Sequence, residues 1–131
     1  MRALLIAPLA VAAFAAGGVA LMSALGRDAH LAAMVNAACT SLVAAALGVV
    51  PLYVARRASQ DAMTQAGLVA TMVHLFAIVG TAATLMLAGR LSIAYTLWLM
   101  PFYFATLVPL VIAVTRAIKH APPAATTTPK A

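Results

Sequence analysis

The stretch "MVHLFAIVG" (72–80) places a histidine in the middle of an otherwise apolar run. An imidazole there could pass protons, hold a metal or bridge helices by hydrogen bonds. The other residues with chemistry to offer are few: His30, His120, Asp28, Asp61 and a single cysteine, Cys39. Zinc needs several nitrogen or sulfur ligands, and His30, His74 and His120 are too far apart to share one ion. Mg²⁺ prefers carboxylates, and the only two belong to different connections between apolar runs. No nucleophile–base pair can be assembled, so neither an enzyme nor a cofactor or metal site is expected. A proton relay inside a membrane uses a chain of titratable groups. No Asp, Glu, Lys or Arg accompanies His74 within its run, which favours a structural role for the imidazole.

The elements that must position His74 follow from composition. Hydrophobic residues make up 66% of the chain and charged ones 8%, against roughly a quarter charged in soluble domains. Apolar stretches cover residues 3–25, 31–55, 66–88 and 93–115. Each reaches the roughly 20 residues that span a hydrocarbon core. Period-2 alternation is absent, so the expected fold is all-α: a polytopic, antiparallel four-helix transmembrane bundle in a lipid bilayer. Short connections at 26–30, 56–65 and 89–92 make spans 1–2, 2–3 and 3–4 expected neighbours. The first stretch exceeds the apolar core of a signal peptide, about 7–15 residues, so it is expected to remain as a span. Residues 119–131, "KHAPPAATTTPKA", have no apolar face to bury and are expected to form a disordered tail.

The net charge of +6 encodes topology in this reading. Arg2, Arg56, Arg57, Arg116, Lys119 and Lys130 flank one set of span ends, and only Arg27 and Arg90 flank the other. Because Lys and Arg concentrate in cytoplasmic loops, both termini are expected in the cytoplasm. No basic patch is arranged for nucleic acid.

Helices associate in lipid through small residues and scattered polar contacts. Span 1 carries Ala12, Ala16, Ala20 and Ala24 at a spacing of four, beside Ala13 and Gly17. Span 2 carries Ala32, Asn36, Thr40, Ala44 and Gly48. Span 3 carries Ala66, Ala70, His74, Ala77, Thr81, Thr84 and Ala88. These stripes are the expected inward faces. With spans 2 and 3 antiparallel, Asn36 falls level with Thr84 and Thr40 with Thr81, which predicts a polar seam. His74 falls level with Leu47 and Thr106.

Proline at 51, 101 and 109 marks expected helix kinks. Pro51 and Pro109 deprive the Leu47 and Ala105 carbonyls of their helical donors. His74 could donate to one of these and accept from Thr106 or Tyr103, pinning spans 2, 3 and 4 together. Asp28, Asp61 and Ser92 are expected to cap the helices that follow them, which are expected to begin near Ala29, Ala62 and Ile93. Tyr53, Tyr95 and Trp98 are expected at the membrane interface.

On these residues the chain resembles the subunit I family of bacterial F-type ATP synthase operons. The likeness rests on "AAALGVVPLYVARR" (44–57), with Gly48, Pro51, Arg56 and Arg57, and on "LWLMPFYFATLVPLVIAV" (97–114). Leu52 stands where that family often has Asn, and His74 alone occupies the place of its charged span-3 residues. The resemblance implies a non-catalytic accessory protein of the bacterial inner membrane. Such a protein assists assembly of the rotor c-ring by contacting c subunits through its helices. Two alternatives are a structural subunit of another membrane complex and a small transporter or channel subunit working as a homo-oligomer.

Overall fold

A computed structural model describes residues 6–123. Arg2, Lys130, the first residues of span 1 and residues 124–131 lie outside it. Four helices follow one another: α1 (Ile6–Ala24), α2 (Leu31–Val54), α3 (Gln60–Leu87) and α4 (Ile93–His120). All four are long and apolar enough to cross a bilayer, and the chain is a multi-pass helical membrane protein. The 19 residues of α1 rise about 28 Å at 1.5 Å per residue, close to the hydrocarbon thickness.

Helix ends are set by local chemistry. Both α1 and α3 end in a left-handed glycine, Gly26 at φ 63° and Gly89 at φ 64°. In each case the following Arg amide reaches back to the helix, Arg27 to the Met22 carbonyl and Arg90 to that of Leu85, both at 2.9 Å. This is the Schellman closure that glycine favours. Ser92 caps α4 by accepting from the Tyr95 amide at 3.1 Å.

The two acids behave otherwise than expected. The N-cap of α2 is His30, itself at φ 45° with no side-chain cap, so Asp28 stays in the connection. Ser59 is the N-cap of α3, leaving Asp61 inside the first turn, where its charge still meets the positive end of the helix dipole.

Two helices outrun their apolar segments. α3 starts at Gln60, two residues before the expected Ala62 and six before its apolar run, because "QDAMTQ" contains no helix breaker even though it is polar. α4 runs to His120 instead of 115, so Lys119 and His120 belong to a helix. The Pro122 carbonyl then accepts from the Gln60 amide at 2.9 Å, satisfying a free N–H at the start of α3. The first part of the expected tail is thus structured. Pro51 lies within α2, and Pro101 and Pro109 lie within α4, both of which continue as helices.

The core is built from α2, α3 and α4, each touching the other two, whereas α1 lies mainly on α4 and barely meets α2. The expected pairing of spans 1 and 2 therefore gives way to a 1–4 pairing. At Gly18 the missing side chain makes room for the Trp98 ring, which a Cβ would strike. The inward face of α1 is Ala7 and Val11, with Ala10 and Ala15 beside it. The expected stripe of Ala12, Ala16, Ala20 and Ala24 points away from the bundle and is exposed. α1 is apolar on all sides, so spacing alone could not mark its inner face. Leu87 is 90% exposed, Ile93 81% and Val54 78%; such surfaces suit acyl chains, not water.

Candidate functional site

His74 is fully buried where α2, α3 and α4 meet. The approach is close because Gly48 carries no side chain. A Cβ there would lie 3.1 Å from the Ala70 carbonyl oxygen and 3.4 Å from His74 Cβ. Ala70, one turn before His74, is also fully buried, so the α2 and α3 backbones face each other directly.

The imidazole Nε2 lies 3.4 Å from the Thr106 hydroxyl. That hydroxyl also reaches the carbonyls of Phe102 at 3.0 Å and Tyr103 at 3.1 Å. Tyr103 stacks on the imidazole, with centroids 5.5 Å apart and planes 17° from parallel. The backbone of Ala44 faces the ring from α2, but Nδ1 has no partner within hydrogen-bond geometry. The expected acceptors, the carbonyls of Leu47 and Ala105, are not the groups it meets. Thr106 has one proton to give. If a backbone carbonyl takes it, Nε2 must donate to the hydroxyl; if Nε2 takes it, the ring proton sits on Nδ1. In either case His74 of α3 is joined to α4 by a hydrogen bond and a stack, and to α2 by close packing.

Towards the end formed by the 25–30 and 88–92 connections, the polar groups no longer fill the space between helices. A cleft of about 940 Å³ opens there, with Asn36, Cys39 and Thr40 on α2, Thr81 on α3, Tyr95 on α4, and His30 and Arg90 at the connections. Asn36, Thr40 and Thr81 of the expected seam line the cleft wall without bonding to one another across it, whereas Thr84 does not line it and is exposed. Thr40 bonds to its own Asn36 carbonyl at 2.8 Å, Thr81 to Ala77 at 2.7 Å, and Thr84 to Gly80 at 2.7 Å. A Thr hydroxyl satisfied within its own helix has no proton left for another.

The bond across helices comes from Tyr95, whose hydroxyl donates to Thr40 at 3.1 Å. Trp98 donates its indole N–H to the Ala29 carbonyl at 3.0 Å. Both aromatic residues lie in the first two turns of α4 and are buried there, with their rings packed inside the bundle. Tyr53 does remain exposed, with the Arg56 guanidinium 4.3 Å above its ring. Sequence reasoning missed Tyr95, Trp98 and the buried Ser41 as bundle contacts. Spacing could have found the first two, because Tyr95, Trp98, Phe102, Thr106 and Pro109 recur every three or four residues and form the buried face of α4.

Arg56, Arg57, Arg116 and Lys119 are exposed around the opposite end. Among the described residues no group of three or more His, Cys, Asp or Glu could hold a metal ion. Compared with family models, curated proteins and solved structures, the chain gives no match.

Proposed function

We propose that the chain is a non-catalytic accessory protein of a bacterial inner membrane that binds other membrane proteins through helix–helix contacts. The observation that carries this reading is α1. It is held to the bundle by one narrow face, and Ala12, Ala13, Ala16, Gly17, Ala20 and Ala24 are exposed. A Cβ added at Gly17 would meet nothing within 4 Å. Small side chains are what allow a second helix to approach closely in lipid.

The resemblance to subunit I of ATP synthase operons points to c subunits as the partner, and so to a role in assembling the rotor ring. Both chain ends face the cytoplasm in this reading, as the basic residues at the 55–59 connection and the end of α4 favour. Purification in mild detergent tests it: c subunits should accompany the wild-type chain and be lost from Ala16→Leu. Absence of c subunits from the wild-type preparation would remove the ATP synthase assignment.

The cleft favours a transporter or channel subunit as a second reading. Against it, the opposite end of the core is closed by Leu52, Met63, Ala66, Ala70 and Leu110, all buried together.

A further inference from the structure

We propose that the cleft between α2, α3 and α4 is a binding site for a phosphate-bearing anion, held by Arg90 and the side-chain amide of Asn36. The argument starts from depth. Asn36 stands five positions after the first residue of α2, Leu31, and Thr40 nine after it. At 1.5 Å per residue these lie about 7 and 13 Å down the helix. Lipid at that depth offers no hydrogen bonds, so an amide or hydroxyl facing it is costly unless water or a ligand is present. Thr40 and Tyr95 satisfy each other in part, and Thr81 uses its own helix. Asn36 lines the cleft with an amide that donates twice.

The charge of the site has one sign. Arg90 lines the cleft, while neither described acid does; Asp28 faces a separate recess beside Trp98. A guanidinium with amide donors suits the oxygens of a phosphate. The volume, about 940 Å³, falls within the range of about 300–1,000 Å³ usual for ligand sites. The phosphate could belong to an anionic phospholipid headgroup entering sideways or to a soluble phosphate entering from the aqueous face.

Cys39 makes the site testable in the native chain. It is the single cysteine, is exposed and lines the cleft. Alkylation needs the thiolate, so it reports water at that depth. In nanodiscs of phosphatidylcholine alone, Cys39 should react with a neutral maleimide. Either phosphatidylglycerol in the disc or added inorganic phosphate should slow that reaction, by about tenfold once the ligand reaches about ten times its Kd. Protection by the lipid alone identifies a headgroup, and protection by the salt alone identifies a soluble ligand. Arg90→Gln should abolish the protection and Arg27→Gln, outside the cleft, should keep it. Native mass spectrometry should show fewer retained phosphatidylglycerol molecules on Arg90→Gln if the lipid is the source. An unreactive Cys39, no protection by either addition, or equal protection in Arg90→Gln overturns the proposal. None of these readouts depends on c subunits.

Discussion

At the end of the core where α2 stops and α3 begins, Gly48, Ala66, Gly67 and Ala70 let backbones close on one another. Leu52, Met63 and Leu110 fill what remains. Val114 occupies the place a Gly67 side chain would take. At the other end, Asn36, Thr40, Thr81 and Tyr95 stand at comparable positions and surround a cleft. What differs is the volume and bonding habit of the facing side chains. Where they are absent or a single methyl, the helices meet and exclude everything else. Where they are branched hydroxyls whose protons go to their own backbones, they hold the helices apart and donate to no other helix. His74 sits at the boundary, closely packed on its α2 side and bonded to Thr106 on its α4 side.

The strongest way to break this contrast is to fill the closed end. Gly48→Leu meets the Ala70 carbonyl, which cannot move without α3. It should cost about 3 kcal/mol, the upper part of the overpacking range. Gly17→Leu on the open face of α1 is its control. Thermal unfolding in mild detergent should show a large fall for the first and almost none for the second; equal falls would remove the close-approach argument.

His74→Leu keeps the volume while losing the Thr106 bond and the Tyr103 stack. A loss of about 1 kcal/mol is expected, within the range for interhelical polar contacts in bilayers. Much of that loss should disappear when Thr106→Val is already present. Additive losses from the two substitutions would mean that the 3.4 Å contact contributes nothing.

At the open end, Tyr95→Phe removes the bond to Thr40, and a loss near 0.6 kcal/mol is expected. Steric trapping or denaturant unfolding can resolve it by comparison with Thr40→Val. The smallest effect belongs to Ala16→Leu, which should change stability by less than about 0.5 kcal/mol. A larger loss would mean that this face of α1 packs inside the bundle after all.

Much of the architecture could be read before any coordinates. The apolar run lengths forced four helices, because backbone groups in lipid must be bonded within the segment. Ser92 was legible as a cap, and spans 2 and 3 meet through Ala44, Gly48, Ala66, Ala70 and His74, residues that lay on the expected stripes. The reading failed where chemistry was inferred from hydropathy alone. Polar turns at Gln60 and Lys119 continue helices beyond the hydrocarbon. His30, not Asp28, ends up next to the first turn of α2. Residue type suggested a position for Tyr95 and Trp98 but not their partners, Thr40 and the Ala29 carbonyl, which come from a segment more than fifty residues earlier in the chain.

Run length, charge placement and punctuating residues are properties of a segment in its solvent, and the sequence alone determined the spanning helices and the glycine-bearing connections. Which side of each helix faces inward was a different matter. In water the apolar side must turn in; in lipid every side of α1 is acceptable to its surroundings. Shape then decides: the Trp98 ring against Gly18, the bare backbone at Gly48, and the reach of Tyr95 to Thr40. These depend on residues from different helices arriving at the same depth, so only the tertiary structure could choose the face α1 presents outward, the partners of His74 and the existence of the cleft.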